Sequence, residues 1–432
     1  MKTRLALFIC LLYHPSTSAA SVPDLLKEAM AQPLMNLNQF ERLALASNPT
    51  MVQAKAIVEQ SGAQARQAGL MPNPTIGYEG EQIRGGSYGG GEQGAFIQQD
   101  IVMGGKLALR RDVYEQQRRT DEIGATEQRY RITADVDRTF YAALAAQAIV
   151  EVRHRLLALA SDTVQTAHQL ANVGQADAPD LLQAEVEADQ AEIDYAAAQR
   201  NYIQQFRMLA ALAGKPDLPL APLTGDLERF PAIDEDQITN RIINESPEVK
   251  RAQQNVLRAE ASLKSAKRES IPDLQIRAGF EQNFERLTDT RPAVVGLQGF
   301  ASAGITLPLF NRNQGNVAAA AAEVERANGE VARVKLSLRR AIQPLLQTYL
   351  SEQLEAERYK VEMIPRALRA YQLYLAKYQQ MGAAYPEVIV SQRTLFQLQV
   401  SYNHVLSDLW NKAIALQNYL LADGLKEVGN SR

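Results

Sequence analysis

Residues 106–171 contain no proline and keep a helical pattern throughout. At 1.5 Å per residue such a helix is about 100 Å long. A compact domain has no use for a rod of that length. Its apolar stripe must be covered along the whole length by neighbouring helices. The other helical stretches suit that role. Those expected over 38–70 and 180–213, laid end to end, match the rod. A second rod is expected over 314–380, matched by helices over 237–270 and 387–421. Val317, Ala320, Val324, Ala327, Val331, Val334, Leu338, Ala341 and Leu345 follow the 3-4 spacing of a coiled-coil seam. Pro344 and Pro365 are expected to kink or break it. Aromatics are 6% of the chain, with one Trp. That favours thin helix-on-helix packing over a bulky core.

The two rods belong to an internal duplication. "NPTMVQAKAIVEQSGAQARQAG" (48–69) resembles "SPEVKRAQQNVLRAEASLKSAK" (246–267), and "PNPTIGYEGEQ" (72–82) lies over "PDLQIRAGFEQ" (272–282). Further on, "NVGQADAPDLLQAE" (172–185) lies over "QMGAAYPEVIVSQR" (380–393). The expected organisation is a signal peptide at 1–20, a first repeat at 21–214 and a link at 215–236. A second repeat at 237–424 and a tail at 425–432 complete it. Each repeat reads helix, strand, strand, very long helix, reversal, helix. Gly174 and Gly382 mark the reversals. The Pro-rich stretch "KPDLPLAPLTGDLERFP" (215–231) is expected to be ordered against the rods.

The first residues read as an export signal. Lys2 and Arg4 precede the apolar run 5–12, and Ser18-Ala19-Ala20 supplies a small-residue cleavage site. That run of roughly eight residues is far too short to span a bilayer, and no later stretch approaches the roughly 18 consecutive apolar residues a spanning helix needs. Cys10, the only cysteine, lacks the small residue that precedes a lipidated cysteine. The mature chain is therefore expected to have no disulfide, no catalytic thiol and no thiolate metal site. Any route through a membrane must use strands. The net charge of −3 gives no footprint for nucleic acid.

The expected strands are 73–83, 94–103, 273–284 and 297–309. Leu274, Ile276, Ala278 and Phe280 face one way, and Asp273, Gln275, Arg277, Gly279 and Glu281 the other. Ile76 and Tyr78 likewise oppose Thr75, Gly77, Glu79 and Glu81. This alternation, at a length of about 10 residues, suits a tilted strand crossing a bilayer, and it also suits a half-buried soluble sheet. Four strands cannot close on themselves. An open edge in hydrocarbon leaves backbone groups unpaired, so membrane-spanning strands here require several copies to share one barrel.

With that pattern established, the chain resembles the TolC-like outer-membrane efflux duct family over nearly its whole mature length. The resemblance rests on "ERLALASNP" (41–49), "AGLMPNPTIGYE" (68–79), "QQDIVMGGK" (98–106), "VGQADAPDLLQAE" (173–185), "ITLPLFNRNQG" (305–315) and "SQRTLFQLQVSY" (391–402). The "AGLMPNP" and "IVMGGK" forms are most similar to the heavy-metal efflux branch. The fold this implies is mainly α with a small β part: a long antiparallel coiled-coil-like helical barrel, with four strands per chain contributing to a shared twelve-stranded transmembrane β-barrel. It also implies a homotrimer in outer-membrane lipid with a long periplasmic portion, docked to a periplasmic adaptor and an inner-membrane pump. The expected function is that of an exit duct, with metal cations as possible cargo. The alternative is a soluble periplasmic helical scaffold.

In a trimeric tunnel the reversals form the periplasmic aperture. Asp177, Asp180 and Glu387 sit there, and three copies would bring like carboxylates into rings that favour cations. Asp beside a helix start is also ordinary capping. Pro386-Glu387 stands where relatives often carry a Leu/Asp run. His154, His168 and His404 have no second His or Cys at ligand spacing. "GGSYGGGEQG" (85–94) lacks the Lys-Ser/Thr of a phosphate loop. No catalytic site and no cofactor are expected.

Overall fold

The computed structural model describes residues 31–83, 91–172, 178–287, 293–379 and 385–426. The expected signal peptide, Gly174, Asp177, Gly382 and most of the tail lie outside the described residues. Elements run in the order α1 (Leu37–Ser47), α2 (Pro49–Ala68), β1 (Thr75–Glu81), β2 (Glu92–Ile101), α3 (Lys106–Asn172) and α4 (Ala178–Leu212). They continue with α5 (Glu235–Glu245), α6 (Pro247–Arg268), β3 (Leu274–Leu287), β4 (Ala293–Ile305) and α7 (Gln314–Arg358). A π turn (Tyr359–Met363), α8 (Ile364–Gln379) and α9 (Tyr385–Gln417) complete the order. The 67-residue α3 is unbroken.

Two expected helices are each split once. Asn48 and Ser246 leave the helical conformation (φ −70, ψ 124 and φ −59, ψ 142) and cap the helix that follows. Asn48 Oδ1 accepts from Thr50 N at 3.0 Å, and Ser246 Oγ accepts from Val249 N at 3.2 Å. The cause is the proline at the first position of α2 and α6. It disfavours the α region for the residue before it and suits a helix start. The two expected proline interruptions differ. Helix α7 continues through Pro344. A π turn sits immediately before Pro365, where the wider turn relieves the clash between the ring and the preceding turn. The coiled-coil seam holds at Ala327, Val334 and Leu338, then steps to Ile342, Leu346 and Tyr349, all buried, while Ala341 is exposed. Three consecutive steps of four, from Val334 to Leu346, carry the stripe around the helix.

Helix α9 ends at Gln417, earlier than the expected 421. Tyr419 and Leu420 take positive φ, of 58 and 60, and Leu420 N closes back to Ala415 O at 2.7 Å. The β2–α3 turn is made by Gly104 and Gly105, at φ 69 and 71. These conformations are cheap only for glycine. The "MGGK" run is therefore a backbone requirement of the strand-to-helix exit. Lys106, 3% exposed, then ties the start of α3 to Asp273, ahead of β3, at 2.9 Å.

The chain forms two compact units, and each draws on both sequence repeats. Of the described residues, one comprises those within 31–41, 138–229 and 352–410. The other comprises those within 42–137, 230–351 and 411–426. The first unit packs Phe40 between Phe140 and Phe206, with ring centroids 6.0 Å apart in each pair. Trp410 stacks on Tyr141 at 3.6 Å. The second unit buries Ile132, Ile242, Ile342, Leu346 and Tyr349. It holds all four strands in one antiparallel sheet of order β1-β2-β3-β4. Strands β1 and β4 are its edges.

Candidate functional site

The register sorts the sheet into two chemically distinct faces. Gly77, Phe96, Gly279 and Phe300 stand in one cross-strand row, and Glu79, Gly94, Glu281 and Gln298 in another. Thr75, Gln98, Arg277 and Ser302 form a third row on the same face, while Glu81, Glu92 and Asp100 also lie on that side. The other face carries Ile76, Tyr78, Ile97, Ile276, Phe280, Leu297 and Ile305. Their exposures run from 40% to 76%. A soluble half-buried sheet would cover such a face, because each large apolar side chain left in water forgoes about 1.5–3 kcal/mol. Here the apolar face is left uncovered. Among the described residues, no helix is long and apolar enough to cross a membrane.

On the polar face Arg277 forms an ion pair with Glu79. Its guanidinium lies 4.2 Å from the Phe96 ring centroid and 5.5 Å from that of Phe300. Alternation alone assigns Arg277 to this face. Its three partners lie on three other strands, so the grouping emerges only from the register.

Of the candidate aperture residues, Asp180 and Glu387 lie in the first unit. Asp180 is half-buried in the first turn of α4, and Glu387 is exposed in the first turn of α9. Both positions suit the positive end of a helix dipole. Asp180 is close enough to Tyr378, near the end of α8, to act on it. Burial chiefly raises the Tyr378 phenol above its ordinary range, and the Asp180 charge adds to the effect. Glu387 lines a cleft of about 400 Å³ with Ala367, Ala370, Tyr374, Val390 and Thr394. Further along these helices, Arg393 of α9 pairs with Glu187 of α4, and Arg153 of α3 reaches Asp194 of α4 at 2.8 Å. The first of these interhelical pairs was not apparent from charge pattern, because its partners are 206 positions apart.

The Pro-rich link is ordered, as expected. Pro216, Pro219 and Pro222 have no N–H to donate, which limits the link to a single parallel backbone bridge, with Met35 N donating to Pro222 O at 3.0 Å and Thr224 N to Met35 O at 2.9 Å. Side chains serve the rest of its backbone. Gln147 donates to Leu223 O at 3.0 Å and accepts from Leu223 N at 2.7 Å. Tyr202 donates to Ala221 O at 2.7 Å, and Trp410 Nε1 to Leu227 O at 2.9 Å. Glu228 receives Lys360 at 2.7 Å and the Tyr402 hydroxyl at 3.1 Å.

His168 reaches Glu185 at 3.5 Å, and the His154 ring lies 5.3 Å from that of Tyr195. Among the described residues, no group of three or more His, Cys, Asp or Glu side chains is placed to hold a metal ion. The second unit holds a charged cluster that no motif announced. Glu127, 5% exposed, accepts from Arg131 at 2.7 Å and pairs with Arg251 at 3.3 Å. Nearby Glu248 has its carboxyl raised above the usual range, first by burial and then by the Glu127 charge. Arg251, Arg333 and Arg131 pull the other way.

The model of the family described as "Outer membrane efflux protein" matches residues 42–215 and 238–420. The chain is 26% identical over 404 residues to the cobalt-zinc-cadmium resistance protein CzcC of Cupriavidus metallidurans, covering 94% of each chain. Among solved structures it is similar to the outer membrane protein VceC of Vibrio cholerae. The TM-score is 0.68 at 19% identity, over 89% of this chain and 96% of that one. The CusC structure gives a TM-score of 0.71 at 18% identity, over 90% and 92%. At these identities the structural likeness is one of fold.

Proposed function

Because this chain belongs to the outer membrane efflux protein family and so serves as an efflux duct of the bacterial outer membrane, we propose that three copies close its sheet into one twelve-stranded barrel. The single supporting observation is the open four-stranded sheet with its apolar face uncovered. In hydrocarbon that face is favourable, while the backbone groups of β1 and β4 cost several kcal/mol each if left unpaired. Another copy satisfies them without change of direction. Strands alternate up and down through β4, so the β1 of a neighbour continues the antiparallel order. The polar face then lines a water-filled path.

The duct offers a passage and no catalytic step of its own. It works beside an inner-membrane pump and a periplasmic adaptor in a tripartite system. Metal cations are the cargo we favour, a reading supported by the likeness to a cobalt-zinc-cadmium resistance protein. The aperture lies at the reversals. Gly174 and Gly382 turn the chain there, and Asp177, Asp180 and Glu387 place carboxylates around the entrance, where they favour cations.

The closure is tested with engineered cysteines, since Cys10 is the only native one. One cysteine in β1 is combined with a series along β4. Disulfides linking copies into a covalent trimer at one register are expected. A protein that stays monomeric at every pairing, or fractionates as soluble without detergent, overturns the reading.

A further inference from the structure

On the polar face, one row across the sheet alternates glycine and phenylalanine: Gly77, Phe96, Gly279, Phe300. Each ring lies down over the glycine beside it. A Cβ added at Gly77 would sit 2.5 Å from Cζ of Phe96, and one at Gly279 would sit 2.7 Å from Cζ of Phe300. Arg277, in the adjacent row, rests over both rings and pairs with Glu79. Two rings and a guanidinium per copy are thus laid flat against the wall. Each could otherwise project several ångströms from it.

We propose that this row sets the cross-section of the water path at its level of the barrel. The inference rests on the polar face being the lumen. Flat rings keep the layer open, and glycine is the residue that lets them lie flat. Any side chain at Gly77 stands the Phe96 ring up into the path and unseats Arg277 with it.

The two glycines are not equivalent as tests. At Gly77 the obstacle is the far end of a flexible side chain, which can swing away. At Gly279 a Cβ also meets the Ala95 carbonyl, so substitution there disturbs strand pairing. Gly304 provides the control. It lies on the same face, opposite Gln275, with nothing within 4 Å of an added Cβ.

Single-channel conductance in planar bilayers reads the effect. Gly77→Ala is expected to lower conductance, Gly304→Ala to leave it at the wild-type value, and Gly77→Ala with Phe96→Ala to restore it. Equal conductance in wild type and Gly77→Ala overturns the inference while leaving the duct reading intact. A wild-type protein that forms no channels overturns the duct reading, and this inference with it. A second measurement needs no folding under strain. Cysteines placed singly at positions 96 and 304 are modified after assembly with a bulky methanethiosulfonate. Greater block from position 96 is expected, and equal or greater block from position 304 overturns the inference.

Discussion

Gln147 does for the inter-repeat link what a neighbouring strand would do for a sheet. Its amide bonds both the N–H and the C=O of Leu223, at 2.7 and 3.0 Å. Leu223 is 3% exposed, so both groups depend on that one side chain. Gln147→Leu keeps the bulk and removes both partners. A buried polar group left unmade costs about 1–3 kcal/mol. These bonds are part-buried, which allows some rescue by water and favours the low end. Two groups then cost about 2 kcal/mol, and at 1.4 kcal/mol per tenfold the open state of the link rises about 30-fold.

Hydrogen exchange read by mass spectrometry on link peptides measures this population directly, because exchange in the fast-closing regime follows the opening equilibrium. Amides of Leu220, Ala221 and Leu223 are expected to exchange about 30-fold faster in Gln147→Leu. Those of α3, whose helix bonds are untouched, should not change. Tyr202→Phe, which removes only the bond to the Ala221 carbonyl, is expected to give a smaller acceleration of the same peptides. Acceleration below about threefold in Gln147→Leu would mean that water or the link's apolar contacts hold it, and the assignment of Gln147 as its anchor would be wrong.

Three further outcomes are expected. Glu248 has a folded-state carboxyl pKa raised chiefly by burial. The folded state therefore holds a proton that the unfolded state has released, and stability falls as pH rises from the ordinary carboxylate value through the folded one. Glu248→Gln should accordingly raise the melting temperature at neutral pH and flatten its dependence across that window. The Gly424 carbonyl accepts from Thr50 Oγ1 at 2.8 Å and Gln128 Nε2 at 2.7 Å, and its N–H donates to Asp135. Since an added Cβ would meet the Ile132 backbone at 2.8 Å, Gly424→Ala should destabilise by about 1–3 kcal/mol, seen as a lower denaturant midpoint. Asp180→Ala should shift single-channel cation preference toward neutrality, and no shift would leave Asp180 as a helix-start residue alone.

The helical elements and the faces of the strands were legible because each is a property of a period. A period survives small errors in boundary, so the unbroken α3 and the sides taken by Ile276 and Arg277 agree with the residue pattern. What escaped were events one or two residues wide. Asn48 interrupts α1–α2 by a single non-helical residue, and on either side the helical period is intact. The polar residue and proline at 48–49 and 246–247 do suit a helix start, and the structure has one at each; what the pattern did not show is that the helix before each one ends there. The π turn before Pro365 and the tolerated Pro344 make the same point, since identical residues met different local relief. The Phe96–Arg277–Phe300 layer escaped for another reason. Alternation tells which side of a strand a residue takes, but neighbours across strands depend on register, and a slip of one residue exchanges every face. Register here follows from the bonding of four strands drawn from sequence segments some two hundred residues apart. The chemistry of the polar wall is consequently a tertiary property. Arg277 acquires its seat and its counterion only when β1, β2 and β4 are laid beside β3, and that is why substitution at Gly77, two strands away, is expected to move it.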